Sequence, residues 1–445
     1  MNQKKAALHN LGCKVNSYEL EAMQQLLEAA GYEIVPFEEK ADVYVVNTCT
    51  VTGIADRKSR QMLHRAKKSN PDAVVVAAGC YVQTGREDLL ADDSVDILLG
   101  TNHKGDIIRA LEEFDRTSGR TCEVEEAGGI KQYEDLCISR TAEKARAFIK
   151  VTDGCNQFCS YCLIPYARGR VRSRKPDDVI REVRSLAGRG YQEIVLTGIH
   201  LSSYGTDLSG GQPGESLLSL IRSLSETEGI HRIRLGSLEP GIITTRFVEG
   251  LAECREICPH FHLSLQSGCD ETLSRMNRRY TTAQYREKCR LLRQYFDHPA
   301  LTTDVIVGFP GETEYEFIRS KEFIDSIGFY ETHVFRYSKR EGTRAALMDG
   351  QVDESVKAAR SDQMLELNTR HMREYEEAMI GRTVQVLIEE IRETDGQSFG
   401  IGHSMEYIPV AVPYGDGVGP GKICRVTATG FLQPHLLRGL YFPVK

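Results

Sequence analysis

The sequence lacks any apolar run that approaches the ~20 residues needed to span a bilayer. It opens with Lys4 and Lys5 but has no apolar segment after them, so the start is not typical of a secretory signal peptide. It also contains no solenoid-type repeat and no low-complexity segment. These absences exclude a membrane span and a repeat scaffold. We therefore expect a cytoplasmic globular protein that has no membrane partner.

The chain has no excess of positive charge. Its 56 Lys and Arg residues against 63 Asp and Glu give a net charge of −7. This balance excludes a protein that coats nucleic acid non-specifically, so any RNA contact must come from a local patch. With 445 residues, 41% hydrophobic and 27% charged, the chain predicts about three globular domains with ample core.

The 13 cysteines are odd in number and spread along the chain, which is not a disulfide framework. Three of them lie within DGCNQFCSYC, as Cys155, Cys159 and Cys162 with C-x3-C-x2-C spacing. Structural zinc sites usually take four ligands. Three thiolates from one short loop suit an iron–sulfur cube that leaves one iron open to a ligand from outside the protein.

Three more cysteines each follow an apolar run in the first third of the chain. KAALHNLGC ends at Cys13, DVYVVNTC at Cys49 and AVVVAAGC at Cys80, at intervals typical of βαβ units. Strand ends of an open parallel sheet meet at one edge, so this spacing predicts a second three-thiol ligand set. The alternatives are buried core thiols, or zinc as the metal.

From residue 146 the pattern alternates strand and helix six times, which predicts parallel strands in a barrel-like or doubly wound domain. The three-cysteine loop follows the first of these strands, at the end where barrel enzymes carry their chemistry. After about residue 378, short strands with glycine-rich turns predict a small closed β-barrel. The fold class is thus α/β: an amino-terminal open parallel α/β domain, a central (β/α)6 partial barrel and a carboxy-terminal β-barrel. The predicted division is 1–114, a polar linker 115–142, 143–372 and 376–445.

An open iron on a 4Fe–4S cluster can be chelated by S-adenosylmethionine (SAM), whose reductive cleavage gives a carbon radical. Four residues are candidates to contact SAM or substrate. Tyr161 could pack on the adenine, Gly198 could admit the methionine carboxylate, and Gln266 and Asp304 lie near predicted strand ends. The alternative for each is an ordinary structural role.

Motifs along nearly the whole chain resemble the radical SAM methylthiotransferase family. GCNQFCSYC with LIPYARGRVRSR resembles its cluster loop, and LGCKVN, NTCTVT and AAGC resemble its amino-terminal domain. SLQSGCDETLSRMNRRYT and TDVIVGFPGET resemble its radical domain, and GIGHSMEYIPVAV resembles its RNA-binding TRAM barrel.

The resemblance implies two 4Fe–4S clusters. Cys13, Cys49 and Cys80 would hold an auxiliary cluster that carries or delivers sulfur, and Cys155, Cys159 and Cys162 the radical-generating one. One SAM would supply a methyl group and another the radical, so that a methylthio group replaces a substrate hydrogen. The resemblance also implies an electron donor and a sulfur source as partners, and the sequence does not identify either of them.

LGCKVNSYE and TGIHLSSYG are most similar to the branch that modifies N6-threonylcarbamoyladenosine at tRNA position 37. The alternatives are the branch for isopentenyladenosine in tRNA, which usually has LGCQMN, and the branch for a ribosomal protein aspartate, which has LGCPKN. Lys14 and Val15 carry much of this assignment. An alternative of a different class is a zinc-stabilised RNA-binding protein without catalysis.

A tRNA substrate requires contacts that hold the anticodon loop while its target base is unstacked. The run ARGRVRSRK follows the cluster loop, and alternate side chains of an extended segment project to one side. We expect a phosphate track there, with a solvated charged face as the alternative. Its candidate residues are Arg168, Arg170, Arg172, Arg174 and Lys175.

Overall fold

The computed structural model describes residues 3–117, 119–142 and 145–441. The amino-terminal part is a six-stranded parallel sheet in the order β2-β1-β3-β4-β5-β6, with helices on both faces. Its elements are β1 Lys5–Asn10, α1 Lys14–Ala29, β2 Glu33–Val35, β3 Val43–Thr48, α2 Gly53–Ser69, β4 Val74–Gly79, α3 Cys80–Thr84, α4 Arg86–Leu90, β5 Ile97–Leu99, α5 Ile107–Thr117 and β6 Thr121–Glu123.

The sequence of this sheet explains its place between two helical layers. Every residue of β3 is buried, as expected for a parallel strand covered on both faces. Met23 of α1 packs with α5 on one face, while Leu63 of α2 packs on the other. Strands β3 and β4 end one residue before Cys49 and Cys80, so the predicted open α/β domain is confirmed.

The segment 115–142, predicted to be a polar linker, also contributes to this sheet. Its strand β6 pairs in parallel with β5, with Cys122 opposite Leu98. The prediction missed the strand because three residues are too short for a periodic pattern. The rest of the segment wraps the junction, where Tyr18 of α1 donates a 2.6 Å hydrogen bond to the carbonyl of Leu136.

The central part contains the six predicted strands in a partial barrel. Parallel pairing gives β7-β9-β10 and β11-β12-β13, and parallel bridges such as Leu238–Leu263 join the two sets. Among the described residues no pairing returns from β13 to β7, so the barrel is open there. Its elements are β7 Arg146–Asp153, α6 Ile164–Arg168, β8 Arg172–Ser173, α7 Pro176–Ala187, β9 Glu193–Gly198, α8 Glu215–Ser225, β10 Arg232–Leu235, α9 Thr245–Ala252, β11 His260–His262, α10 Asp270–Arg275, α11 Thr282–Tyr295, β12 Ala300–Val307, α12 Glu314–Ile327, β13 Glu331–Arg336 and α13 Glu354–Ala378.

The carboxy-terminal strands close into the predicted barrel in the order β14-β15-β16-β18-β17. Helix α13 crosses the expected division at 372, and the domain boundaries stay predictions. No helix within the described ranges combines the length and apolarity that a membrane crossing requires. The strands are β14 Thr383–Thr394, β15 Gln397–Ser404, β16 Pro409–Pro413, β17 Ile423–Gln433 and β18 Leu436–Tyr441.

The small barrel packs against the amino ends of the central strands. Arg232 donates to the carbonyl oxygens of Gln385 and His403 at 2.7 and 3.0 Å, and Arg234 donates to that of Met405 at 2.9 Å. The buried Glu193 carboxylate pairs with both arginines. The small barrel is thus fixed at the end of the central barrel opposite the cysteine loop.

Candidate active site

The three-cysteine loop begins where β7 ends. Gly154 has φ +71°, and a Cβ there would overlap the carbonyl oxygen of Arg170. Only glycine lets the chain turn this closely under the returning segment. The turn presents Cys155, Cys159 and Cys162 beyond the carboxyl edge of the barrel, as predicted.

The surroundings of these thiols suit a metal-bound thiolate. Burial, with a smaller contribution from the neighbouring thiols, raises the pKa of Cys155 to about 11 and that of Cys162 to about 12. The backbone N–H groups of Gln157 and Ile164 point at the sulfurs of Cys155 and Cys162 at 3.5 and 3.4 Å. Such donors stabilise cluster thiolates, and a metal is what keeps buried thiols deprotonated.

Arg278 completes this set of donors and was not predicted as a site residue. Its Nη1 lies 3.3 Å from the sulfur of Cys159, and its Nη2 donates to the carbonyl of Ser264 at 3.2 Å. It belongs to the motif MNRRYT, which carried the family resemblance. The motif marked the segment, but a pattern of residues could not show which arginine faces the loop.

The second trio gathers at the edge of the amino-terminal sheet. Cys13 caps α1, and Cys49 and Cys80 follow β3 and β4. Burial, with smaller contributions from Cys80 and Cys13, raises the pKa of Cys49 to about 11. Gly79 has φ +96°, and a Cβ there would lie 2.5 Å from Asn47 Oδ1, so glycine is required where β4 turns into Cys80.

The spacing of the sulfurs bears on the zinc alternative. Two thiolates on one tetrahedral zinc lie about 3.8 Å apart, from Zn–S bonds of about 2.3 Å. Some sets of His, Cys, Asp and Glu side chains among the described residues bring three or more metal-ligating atoms within 4.8 Å of one another. None of these sets contains a cysteine. At least one sulfur–sulfur distance in each trio therefore exceeds 4.8 Å, which is longer than the spacing of two thiolates on one zinc.

Arg168 joins the two trios through a buried network of charges. Its Nε donates to the sulfur of Cys80 at 3.1 Å, and its other nitrogens bind Asn16, Glu19 and Asp153 at 2.8–3.1 Å. Arg168 ends α6, six residues after Cys162, and is fully buried. The segment that leaves one cysteine loop therefore touches a cysteine of the other trio.

Lysines complete the same network. Lys150 donates to Glu19 and Asp153 at 2.7 and 2.6 Å, and Lys104 lies 3.3 Å from Glu19. Burial alone would raise the pKa of Glu19, but Arg168 and the two lysines outweigh it and hold that pKa below its usual range. Fully ionised carboxylates thus fix the amino-terminal sheet on the barrel.

The predicted phosphate track is wrong for three of its five residues. Arg168, Arg172 and Arg174 are at most 2% exposed, because each turns inward to a buried acceptor. Arg172 donates to the carbonyl of Arg168 at 2.7 Å, and Arg174 is ion-paired with Glu182. The expected alternation fails as well, because Arg170 belongs to the same alternating set and is exposed, whereas the other three reach acceptors inside the protein.

The remaining two residues of that run are exposed. The guanidinium of Arg170 lies 4.5 Å from the ring centre of Phe158 in the cluster loop, and Lys175 precedes α7. A contact of either residue with RNA stays a prediction.

The four SAM or substrate candidates occupy different settings. The ring of Tyr161 lies 6.3 Å from that of Phe309 in an apolar cluster, and Gly198 lets β9 pass close to Thr152. Gln266 has a left-handed backbone at φ +72° and donates to the carbonyl of Asp304 at 2.8 Å. Strain of this kind often marks a functional position. SAM or substrate contact stays a prediction for all four.

Two family models match the chain. The Radical SAM superfamily matches residues 149–324, and "Uncharacterized protein family UPF0004" matches residues 5–100. The first covers most of the partial barrel with its cysteine loop, and the second covers strands β1 to β5 of the sheet that bears the other trio. Together they define the class of protein as a radical SAM enzyme, which uses a [4Fe–4S] cluster and SAM.

Characterised relatives are similar over almost the full length. Threonylcarbamoyladenosine tRNA methylthiotransferase MtaB of Bacillus subtilis is 41% identical over 94% of this chain and 92% of its own. A tRNA-2-methylthio-N(6)-dimethylallyladenosine synthase of Moorella thermoacetica is 36% identical over 96% of each chain. The chain belongs to the MtaB-type methylthiotransferases of the radical SAM superfamily.

Among solved structures, the radical SAM methyltransferase TsrM of Kitasatospora setae, with cobalamin and a [4Fe–4S] cluster bound, has a TM-score of 0.55. It is 15% identical over 78% of this chain and 74% of its own, so the likeness concerns the fold alone.

Proposed function

We propose that the protein replaces the hydrogen at C2 of N6-threonylcarbamoyladenosine, at position 37 in the anticodon loop of tRNA, with a methylthio group. The observation that carries this proposal is the junction at Arg168, where the exit of one cysteine loop touches a cysteine of the other trio. A reaction that needs a radical and a sulfur donor at one carbon requires both centres beside one substrate.

The protein's own residues fit two clusters. Cys155, Cys159 and Cys162 would hold the one that reduces SAM, with Arg278 donating to the sulfur of Cys159. Cys13, Cys49 and Cys80 would hold the auxiliary one, with Arg168 donating to the sulfur of Cys80. When bound, the first supplies the electron that cleaves SAM into methionine and a carbon radical, and the second carries or delivers sulfur.

The tRNA would approach the edge where both trios lie. Arg170 and Lys175 are exposed beside the cluster loop and would contact its phosphates. The small barrel lies at the other end of β7, roughly 23 Å away for eight residues of strand.

The test is a reaction with purified components. Anaerobically reconstituted protein, SAM, reductant and sulfide are mixed with tRNA that carries N6-threonylcarbamoyladenosine, and the nucleosides are analysed by mass spectrometry. We expect the 2-methylthio derivative. The similarity to dimethylallyladenosine synthases favours isopentenyladenosine as the second candidate substrate, so tRNA with that base runs in parallel. Conversion of the isopentenyl base alone would overturn the proposal.

Loss of the auxiliary site should separate the two halves of the reaction. Cys13→Ala removes one auxiliary thiol and leaves the other trio intact, so we expect iron to fall from about eight to about four per chain. SAM cleavage should continue while methylthiolation stops. The measurements are iron content, 5′-deoxyadenosine and modified nucleoside in the same samples. Methylthiolation at the wild-type rate would contradict the assignment of Cys13.

A further inference from the structure

A group of metal-ligating side chains that contains no cysteine lies inside the partial barrel. His262, Asp304 and His333, which we call the barrel triad, come from the neighbouring strands β11, β12 and β13. Each offers one ligand atom within 4.8 Å of the others. Two imidazoles and one carboxylate form a common class of divalent transition-metal site, in which further coordination positions stay open.

Strand alternation turns the barrel triad toward the barrel interior. Leu263 and Val305 come next in the chain after His262 and Asp304, and they pack in the large hydrophobic core between strands and helices. Successive side chains of a strand point to opposite faces, so His262 and Asp304 face away from that core. The side chain of His333 is 44% exposed, which leaves the triad open to a ligand.

The contact between His262 and Asp304 has the length of a hydrogen bond but not its direction. The Nε2 of His262 lies 3.2 Å from Asp304 Oδ2, yet it is buried without a hydrogen-bond partner among the described residues. Two atoms that each bind one metal ion at about 2.1 Å lie roughly 3.0–3.4 Å apart. The two groups are therefore spaced as ligands of one ion.

Thr302 fixes the ring of His262 from its other side. The Nδ1 of His262 lies 3.0 Å from the hydroxyl oxygen of Thr302, the residue that pairs with it across β11 and β12. A hydrogen bond at one ring nitrogen orients a histidine and leaves the other nitrogen for a metal. The ring of His333 stacks on that of His262, with centres 5.6 Å apart. The barrel triad is thus held in place on rigid strands.

The second group of possible ligands in the described part of the chain already holds a cation of the protein. In this group of His103, Asp106 and Glu123, the guanidinium of Arg109 is ion-paired with both carboxylates. The Nδ1 of His103 lies 3.0 Å from Asp106 Oδ2. Arg109 takes the place that a metal ion would need, so this group provides an internal comparison for the barrel triad.

The barrel triad also lies close to the three-cysteine loop. Arg278, whose Nη1 lies 3.3 Å from the sulfur of Cys159, donates through Nη2 to the carbonyl of Ser264. Ser264 follows His262 by two residues, about 7 Å of extended chain. C2 and N6 lie on one edge of adenine, so a base that presents C2 to the loop also brings its N6 substituent into the barrel.

We propose that the barrel triad binds one divalent transition-metal ion, and that the open positions of this ion bind the carboxylate and hydroxyl oxygens of the N6 substituent. The second half rests on the proposed function, since it assumes a threonylcarbamoyl substrate, whereas the metal site does not. An isopentenyl substituent has neither oxygen group, so the ion would select between the two substrates. Asp304 would then bind the metal rather than SAM.

The metal site is tested by equilibrium dialysis of the reconstituted full-length protein, without a histidine tag, against zinc. Zinc is the probe because iron also belongs to the 4Fe–4S clusters. We expect about one zinc per chain with unchanged iron. Asp304→Asn and His262→Gln should each weaken zinc binding at least about tenfold, and His103→Gln should bind zinc as wild type does. Absence of zinc from wild type, wild-type affinity in Asp304→Asn, or loss of zinc in His103→Gln would overturn the site.

Iron content and SAM cleavage separate the loss of a ligand from misfolding. Asp304→Asn and His262→Gln should both keep wild-type iron and wild-type formation of 5′-deoxyadenosine in the absence of tRNA. If Asp304→Asn lost SAM cleavage but kept zinc, Asp304 would be assigned to SAM and the metal site would be overturned.

The substrate half is tested on an anticodon stem-loop that carries the threonylcarbamoyl acid and on the same stem-loop with its methyl ester. Relative to zinc-loaded wild type, Asp304→Asn should lower kcat/KM at least about tenfold on the acid. The loss should be smaller on the ester, which has already lost the charged ligand. Equal losses on both would overturn the binding of the carboxylate. If wild type modifies neither form, the proposed function fails, and the zinc dialysis still decides on the metal site.

Discussion

Cys159→Ala should abolish the reductive cleavage of SAM and remove about four of about eight irons per chain. The mutated loop keeps Cys155 and Cys162 but loses the thiol that faces Arg278. Two thiolates cannot hold a cube at three corners, so the electron that cleaves SAM has no source. Methylthiolation should stop as well, since it depends on the radical. The measurements are iron content, 5′-deoxyadenosine by chromatography and modified nucleoside by mass spectrometry.

The matched control is Cys122→Ala. Cys122 lies in β6, is half-buried against the sheet and belongs to neither trio. Its loss should cost little stability and leave iron and SAM cleavage unchanged. SAM cleavage that survives Cys159→Ala, or iron that falls equally in both variants, would contradict the role given to the loop.

Much of the architecture could be predicted because its signals are local. A buried parallel strand is a short apolar run, and a ligand at its end comes next in the sequence, as with β3 and Cys49. The same holds for Cys155 after β7. The positions of both trios therefore followed from strand ends and spacing.

The phosphate track shows what such signals leave out. Alternation in ARGRVRSRK predicts that Arg168, Arg170, Arg172 and Arg174 share a side, but Arg170 is exposed and the other three are buried. Arg168 donates to Glu19, 149 residues away along the chain, and Arg174 donates to Tyr18, 156 residues away. Burial of an arginine depends on such distant acceptors. The sequence pattern therefore predicted solvent-exposed arginines, whereas in the fold these arginines lie buried at a domain junction.

Arg168→Met should destabilise the folded chain by about 3–5 kcal/mol. Methionine has a similar length but donates no hydrogen bond, so Glu19 and Asp153 lose their arginine in a site without solvent. Lys104 and Lys150 remain and compensate part of the charge, but the contact from α6 to Asn16 and Cys80 disappears. The measurement is urea unfolding of anaerobically prepared protein, followed by tyrosine fluorescence.

Arg170→Met is the matched control, because it removes the same charge two residues away from an exposed position. It should change the unfolding free energy by less than about 0.5 kcal/mol. Equal stability of the two variants would show that the buried network does not hold the sheet on the barrel. A large difference between them would show that Arg168 holds the two cysteine trios together, since this one side chain reaches Cys80 of one trio from the segment that follows the other.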